Sequence, residues 1–464
     1  MPWLSRARAF CGLICASLAA CSVATPYRRP SVPLPREWNA PLPGPHAAIW
    51  PQSAWWRDFG SPRLDELIAE AQRSNDDLAG AIARVQEADA QLRIAGAPLL
   101  PSLDLGATAT RERASVPGQG FAVSNLFNPV LSASYEIDFW GKNRAARAAA
   151  RATAVASRYD QQTVALTVVS SVATTYFQAL ELRDRLQVAR QNLENGDKIL
   201  RGLTFEQEVG TATGLDVAQQ ATVVALLYAA IPPLEEQLKQ TVDALAVLLG
   251  RTPESIDVNA GTLSGLKAPP VVSGLPSNLL ARRPDIAEAE QQLIAANADI
   301  TVARAELFPS IELTASGGYE SSVLSSLVNP VDRVYAVSAG LTQPIFHGGA
   351  LRGELAYSKA RYAELASTYH KTVLTALSNV EDALVAVRQT ADEQERQADA
   401  VAKAKRAYQF AQAQMSAGTV NILTVLNTEN ALFSAQDTLV QVQYSHLQAL
   451  VDLFTALGGG WHQG

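Results

Sequence analysis

The chain carries the same set of landmark residues twice, at a constant separation of 208 positions. The pairs are Pro101 and Pro309, Gly141 and Gly349, Arg144 and Arg352, Gly210 and Gly418, and Gly250 and Gly458. Repetition at one fixed offset indicates that a single structural unit occurs twice in the fold. The sequence therefore predicts a two-fold internal repeat, with repeat 1 at residues 55–260 and repeat 2 at residues 261–464.

Each repeat contains a helical stretch much longer than the helices of compact domains. No proline interrupts residues 142–208 or residues 350–415. In the first stretch apolar residues recur at seven-residue intervals, as at Val172, Ala179 and Leu186, which is the seam of a coiled coil. At 1.5 Å per residue, a helix of this length extends roughly 100 Å. We therefore expect two rod-like helices.

A glycine follows each long helical stretch. Gly210 lies in a predicted turn at residues 209–214, and Gly418 lies in the equivalent turn at residues 416–421. Glycine adopts the left-handed backbone conformation that ends many helices. Because a helical pattern resumes after each turn, we expect the chain to double back and form one coiled-coil hairpin in each repeat.

Alternation of apolar and polar residues replaces the helical pattern before each long helix. Leu103 and Leu105 are apolar, for example, whereas Ser102 between Pro101 and Leu103 is polar. A period of two is typical of β-strands with one buried and one solvated face. The sequence predicts two β-hairpins, at about 102–140 and about 310–346.

The predicted strands have about 10 to 12 residues, which is enough to cross the ~25 Å apolar band of an outer membrane when they are tilted. We expect loops of small residues at 114–125 and 321–328 to join them, with an Asn-Pro-Val sequence at the start of the following strand. A soluble sheet with two different faces is the alternative interpretation. Four strands in lipid would leave unpaired edges, however, and three copies of the chain would supply twelve strands.

The first twenty residues resemble a lipoprotein signal peptide. Two arginines precede an apolar stretch too short to span a bilayer, which ends in Leu-Ala-Ala before Cys21. The resemblance implies cleavage after Ala20, a covalent lipid on Cys21 and, because Ser22 follows, sorting to the outer membrane. An ordinary secretory signal is the alternative. Seven prolines between Pro26 and Pro45 predict that residues 21–54 form an extended tether.

Four motifs relate the chain to a known family over residues 55–461. They are LARRPDIAEAEQQLIAANADITVARAELFPSIEL at 280–313, PIFHGGALR at 344–352, SAGTVNILTVLNTENALFSAQD at 416–437 and ALGGGW at 456–461. With these motifs the chain resembles the outer membrane efflux proteins of the TolC/OprM type, in their lipoprotein branch. The resemblance implies a homotrimer. Its twelve-stranded outer membrane β-barrel, four strands per chain, would continue into a long periplasmic α-helical barrel of coiled-coil hairpins.

The same resemblance implies a function. Such proteins are the outer membrane channel of a tripartite efflux pump, a passive conduit that exports drugs and other small molecules. The partners would be a periplasmic adaptor (membrane fusion) protein, an inner-membrane RND-type transporter and outer membrane lipid. A type I secretion channel is an alternative within the family. A lipid-anchored coiled-coil scaffold without a pore is an alternative of a different class.

The resemblance also assigns roles to residues near the two turns. The expected adaptor-docking residues are Val209, Gly210, Thr211, Ala417, Gly418 and Thr419. Family members often carry acidic residues six and nine positions after the second glycine, where they constrict the tunnel. This chain has Thr424 and Asn427 there, and Asp216 at the matching six-residue spacing in repeat 1. We therefore expect a constriction that includes these three residues but has no strongly acidic gate.

Composition and motifs give no support for an enzyme. The five histidines lie far apart, and no metal-ligand spacing, nucleophile motif or nucleotide-binding loop occurs. We therefore expect no metal and no cofactor other than the lipid on Cys21. A net charge of −7 also makes nucleic acid an unsuitable partner.

Overall fold

The structure is a computed structural model that describes residues 23–39, 50–116, 120–258, 261–270 and 276–461. The signal peptide and the predicted lipidation residue Cys21 lie outside the described residues. Seven α-helices are found in these ranges: α1 (Pro62–Ser74), α2 (Asp76–Gly96), α3 (Lys142–Glu208), α4 (Gly214–Leu248), α5 (Pro284–Ala305), α6 (Ala350–Ser416) and α7 (Ile422–Ala456). Four strands accompany them: β1 (Ser102–Val116), β2 (Gly120–Glu136), β3 (Ser310–Tyr319) and β4 (Arg333–Thr342).

The chain divides into two compact units, and each unit takes segments from both repeats. The first unit, here called the sheet unit, contains residues 23–31, Arg84–Arg158 and Glu288–His370. The second, here called the helical unit, contains Val32–Ala83, Tyr159–Ala287 and residues 371–461.

The sheet unit is built on one antiparallel sheet with the strand order β1-β2-β3-β4. The register runs without a shift from strand to strand: Leu103 pairs with Ala133, Ala133 with Ala315, and Ala315 with Val337. All four partners have odd numbers, and partners in every other described pair also share their parity. Because side chains alternate between faces along each strand, one face of the whole sheet carries the odd residues and the other the even residues.

The first hairpin is longer than the sequence predicts. Its strands have 15 and 17 residues, whereas β3 and β4 have 10 each. The predicted loop at 114–125 is wrong, because Ala114–Val116 and Gly120–Asn125 continue the ladder. Small residues such as Ala and Ser suit an exposed strand as well as a loop, so composition did not separate the two.

Proline 129 lies within β2, not at its start as predicted. Phe127 exchanges backbone hydrogen bonds with Ser321 (2.8 and 3.0 Å), so the nitrogen of Pro129, two residues further on, faces the same neighbour. The regular pairing with β3 begins only at Val130, opposite Gly318. Proline is tolerated here because the β2–β3 ladder is interrupted at its missing N–H.

Both hairpins end before the predicted residues 140 and 346. In the first, the Asp138 carboxylate accepts from the backbone N–H groups of Asn143 (2.9 Å) and Arg144 (3.0 Å), so the chain already turns into α3. In the second, β4 ends at Thr342, two residues before Pro344. The isolated apolar residue Ile345, predicted as part of the strand, therefore lies outside it.

The long helices have the bounds that the sequence predicts to within one residue, and each contains 67 residues. In α3 the seam residues Val172, Ala179 and Leu186 are buried, as a coiled-coil seam requires. By length and composition alone, α3 and α4 could also cross a membrane. The buried seam explains much of the apolar character of α3 without lipid.

An aromatic cluster forms part of the core of the helical unit. Trp55 stacks on Phe454 with ring centroids 5.1 Å apart, and Phe59 contacts Phe177 at the same distance. Trp55 and Phe59 come from a short 3-10 helix, Trp55–Phe59, at the start of repeat 1. The beginning of repeat 1 and the end of repeat 2 are thus packed together.

Residues 23–29 of the predicted tether are bound to helix α5. The Arg29 guanidinium pairs with the Glu290 carboxylate, and its Nε donates at 2.6 Å. Arg304 donates to the carbonyl of Val23 at 2.8 Å, and Asn297 donates to the carbonyl of Thr25 at 3.0 Å. Residues 23–29 are therefore fixed along the sheet unit.

Candidate channel-forming surfaces and hairpin turns

The odd-numbered side chains make one face of the sheet mainly apolar, with polar residues only toward the loop ends of the hairpins; it is here called the apolar face. Successive rows hold Leu103 with Ala133, Leu105 with Leu131, and Leu341 with Ile311. These side chains have no core to cover them: Leu105 is 78% exposed and Val337 is also 78% exposed. Such a large exposed apolar surface is expected to contact lipid or another chain.

The even-numbered side chains make the opposite, polar face. Ser102 and Ser134 hydroxyls are 3.0 Å apart, those of Thr314 and Ser338 are 2.8 Å apart, and Asn128 donates to Glu320 at 2.9 Å. The acidic residues of the strands are also on this face, namely Asp104, Glu112, Glu136 and Glu312. One apolar and one polar face are what a membrane strand with a wet lumen requires.

The sheet is not closed within one chain. Its outer strands β1 and β4 each pair on one side only among the described residues. An unpaired backbone N–H or C=O in hydrocarbon costs several kcal/mol. A sheet with this apolar face is therefore stable in a membrane only when further strands cover both edges.

The two hairpin turns have the same backbone geometry. Gly210 and Gly418 have positive φ values of 76° and 70°, the left-handed conformation in which glycine carries little strain. Thr211 donates from its backbone N (2.8 Å) and Oγ1 (3.0 Å) to the carbonyl five residues earlier, and Thr419 repeats both bonds at 2.9 Å. Each turn thus satisfies the free carbonyls at the end of its long helix.

The residues predicted to contact the adaptor are accessible at both turns. The six residues assigned to the turns are all exposed: Val209, Gly210, Thr211, Ala417, Gly418 and Thr419. Val209 is 59% exposed although it is a large apolar residue. The turns therefore present accessible surface that a partner could contact.

The return helices begin with different caps in the two repeats. At α4, Thr213 and Asp216 form a capping box, in which the Thr213 N–H and hydroxyl donate to the Asp216 carboxylate at 2.8 and 2.6 Å. These bonds, the hydroxyl bond first, lower the pKa of Asp216. At α7, the Asn421 side chain accepts from the N–H (3.2 Å) and hydroxyl (3.0 Å) of Thr424. Of the predicted constriction residues, Asp216 is thus part of a capping box, and Thr424 is bound by the capping residue Asn421.

Thr424 and Asn427 lie on one exposed side of α7. They are three positions apart, so they are neighbours on the helix surface. Both are exposed, whereas Val425 and Leu426 between them are buried. The repeat 1 equivalent of Thr424 is charged, but this pair is polar and neutral.

A hydrophobic cluster joins the two hairpins behind these turns, and we call it the tip core. It contains the buried residues Leu203, Tyr408, Ala411, Ile422, Val425, Leu426, Leu432 and Phe433. The same helix α7 also buries Glu429 completely. Neither oxygen of Glu429 has a hydrogen-bond partner of good geometry among the described residues, and the Tyr408 hydroxyl faces it.

Burial raises the pKa of Glu429 from 4.5 to about 7, while the nearby Tyr408 hydroxyl lowers it somewhat. The sequence analysis missed this residue. The signal was present, because Glu429 follows Leu426 by three positions and precedes Phe433 by four, which places it on the buried side of the helix.

A sheet with one lipid-compatible face, two open edges and a pair of long helical hairpins defines the subunit of a membrane channel that several chains complete. The chain belongs to the outer membrane efflux protein family, whose model matches residues 67–251 and again residues 275–459. The two matches have the same 208-residue offset as the landmark residues. The two-fold repeat is therefore a property of the family.

Individual relatives agree with this assignment. The chain is 40% identical to the pyoverdine export outer membrane protein OpmQ of Pseudomonas putida, over 96% of both chains. It is 34% identical to the cation efflux system protein CusC of Escherichia coli, over 98% of both. The crystal structure of the Campylobacter jejuni CmeC outer membrane channel superposes with a TM-score of 0.90 at 25% identity, over 96% of both chains.

The family membership establishes the location and the general activity. The protein is an outer membrane efflux protein that reaches into the periplasm, and its family transports substrates instead of catalysing reactions. Among the described residues, no group of three or more His, Cys, Asp or Glu side chains could hold a metal ion.

Proposed function

We propose that three copies of this chain form the exit duct of a tripartite exporter. Three four-stranded sheets, joined edge to edge, would close a twelve-stranded barrel with the apolar face toward lipid and the polar face toward the lumen. The observation that carries the proposal is the constant register that keeps the apolar rows on one face while both sheet edges stay open. The lipid on Cys21 would anchor each copy to the membrane.

The energy for export would come from other proteins. No nucleotide-binding loop occurs in the sequence, so the chain is a passive conduit. An inner-membrane transporter of the RND type would supply the energy, and a periplasmic adaptor would contact the exposed hairpin turns. Asp216, Thr424 and Asn427 would face the narrowest part of the duct.

The substrates would be small molecules. One relative is named for pyoverdine export, so pyoverdine or a related secreted metabolite is a candidate substrate alongside the drugs that the sequence analysis favours. Thr424 and Asn427 support this range, because they are neutral and leave Asp216 as the only charged residue of the three, so the constriction repels anionic molecules less than a fully acidic ring would. A strongly acidic ring would favour cations instead.

Single-channel recording tests the conduit directly. The purified protein, added to planar bilayers, is expected to give discrete conductance steps, and cross-linking in mild detergent is expected to give a trimer. A strain that lacks the gene should retain the small molecules and drugs that the wild type exports, and the intact gene should restore export. A monomeric protein without conductance would contradict the proposal and would favour the scaffold.

The turn residues offer a test of adaptor docking that leaves the duct intact. We expect the double variant Val209→Glu with Ala417→Glu to lose cross-linking to the adaptor and to reduce export by roughly tenfold or more, because it places unpaired carboxylates in an apolar contact. Conductance in bilayers should remain, since no turn hydrogen bond uses these side chains. Ala391→Glu, at an exposed position elsewhere on α6, is the matched control. Unchanged cross-linking in the double variant would show that the adaptor binds elsewhere.

A further inference from the structure

The basic and the acidic residues of the four strands lie on opposite faces of the sheet. Arg111, Arg113 and Arg333 have odd numbers and lie on the apolar face, which has no acidic residue in any described strand. The acidic strand residues all lie on the polar face, which has no basic residue in the strands. A duct lumen explains the acidic residues, but arginine on a lipid-facing surface is costly and needs its own explanation.

The three arginines occupy the loop ends of their hairpins. Arg113 lies three positions before the end of β1 at Val116, and Arg333 is the first residue of β4. The opposite ends of these strands connect to the helices, through Ser102 and Glu136 in the first hairpin. Because the helices reach into the periplasm, the loop ends of the strands face the exterior, at the level of the outer leaflet.

The local surroundings of these arginines match a membrane interface. The Arg113 guanidinium lies 5.0 Å from the ring centre of Phe121, which is also on the apolar face and 70% exposed. Arg333 pairs with Tyr319, and Tyr335 follows two positions later with 88% exposure. Aromatic side chains at this depth are typical of the border between hydrocarbon and headgroups.

No ion pair joins Arg111, Arg113 or Arg333 to a described residue. All three side chains are exposed. Arginine presents planar N–H donors that match phosphate in a bidentate manner, and it carries its charge at any physiological pH. The three guanidinium groups can therefore bind an anionic group outside the chain.

We propose that Arg111, Arg113 and Arg333 form a binding surface for the phosphate groups of the phosphorylated glycolipid in the outer leaflet, lipopolysaccharide. Its acyl chains would lie on the apolar rows from Leu105 to Leu103, since Arg333 itself is level with Ala107 in the sheet register. The phosphates would reach the guanidinium groups directly above them. This inference uses the outer membrane location of the protein, and it holds whether or not the proposed adaptor and pump are correct.

Binding of purified lipopolysaccharide to the detergent-solubilised protein tests the surface. The triple variant Arg111→Gln, Arg113→Gln, Arg333→Gln is expected to bind on the order of tenfold more weakly or worse, because it loses its charge-assisted bonds to phosphate. Lipopolysaccharide from which the phosphates have been removed enzymatically should bind the wild-type protein equally weakly. The corresponding triple lysine variant should keep part of the affinity, since the charge remains without the bidentate geometry.

Glu112→Gln is the matched control, because Glu112 lies between two of the arginines but on the polar face. It should leave lipopolysaccharide binding unchanged. Single-channel conductance of each variant shows whether the variant folds and inserts. Conductance tests the proposed conduit, whereas lipopolysaccharide binding tests the arginine surface, so a failure of one can be distinguished from a failure of the other. Equal binding by the wild type and the triple glutamine variant, or binding that does not depend on the phosphates, would overturn the proposal.

Discussion

Arginine in place of Val337 is expected to remove the protein from the outer membrane. Val337 is the fifth of ten residues in β4 and lies on the apolar face. A charged side chain at the middle of a lipid-facing strand costs about 2–4 kcal/mol. If three chains form the barrel, the cost is incurred three times in each assembly. Loop-end arginines such as Arg333 avoid most of this cost because the penalty falls toward the interface.

The neighbouring residue provides the control. Ala336 is also exposed and differs from Val337 in the face it occupies, so Ala336→Arg places the same charge on the polar face. We expect the Val337→Arg protein to be missing from outer membrane fractions and to confer no export, whereas Ala336→Arg protein is inserted and shows altered conductance. Equal insertion of both variants would mean that the apolar face does not contact lipid.

Glutamine at position 429 is expected to remove a pH dependence from the stability of the tip core. The packed state raises the pKa of Glu429 to about 7 through burial, while a hydrated carboxyl titrates near 4.5. Below about pH 4 the carboxyl is mostly neutral in both states and hardly changes the free energy of unfolding. As the pH rises toward 7, only the unpacked state ionises freely, so the packed state loses up to roughly 3 kcal/mol, and above pH 7 the loss is constant.

Thermal unfolding of both proteins between pH 4 and pH 8 measures this effect. The wild type should become less stable relative to Glu429→Gln as the pH rises, and most of the change should occur between about pH 4.5 and pH 7. Glu393→Gln, at an exposed position on α6, should follow the wild type throughout. A stability difference that does not vary with pH would show that packing does not shift the pKa of Glu429.

The long elements could be predicted from the sequence because their signals are local and repeated. The bounds of α3 and α6 follow from an unbroken helical pattern that ends at Gly210 and Gly418. The strand ends could not be predicted as well. Whether Ala114–Val116 forms a loop or a strand depends on the partner strand opposite, and the role of Asp138 as a helix cap depends on where the next helix begins.

The candidate sites also include features that could be predicted from the sequence and features that could not. The turns were predicted because only glycine fits their backbone geometry easily. The capping role of Asp216 was not predicted, although Thr213 three positions earlier is the usual signal for it. The odd numbering that Arg111 and Arg113 share with Leu103 and Leu105 already indicated that they lie on the apolar face. The pairing of the strands in the structure was needed to establish it. The contacts of Arg29 with α5 join residues far apart in sequence, and no local pattern indicates them.

The equivalent turns also show how a duplicated gene can diverge without losing its architecture. Main-chain bonds around Gly210 and Gly418 hold the two bends in the same shape, whereas the adjacent caps differ, with Thr213 and Asp216 in one and Asn421 and Thr424 in the other. Since the shape depends little on those caps, each copy was free to change the charge it contributes. A single chain thereby contains two chemically distinct versions of one bend, an asymmetry that a ring of identical, unduplicated subunits could not present.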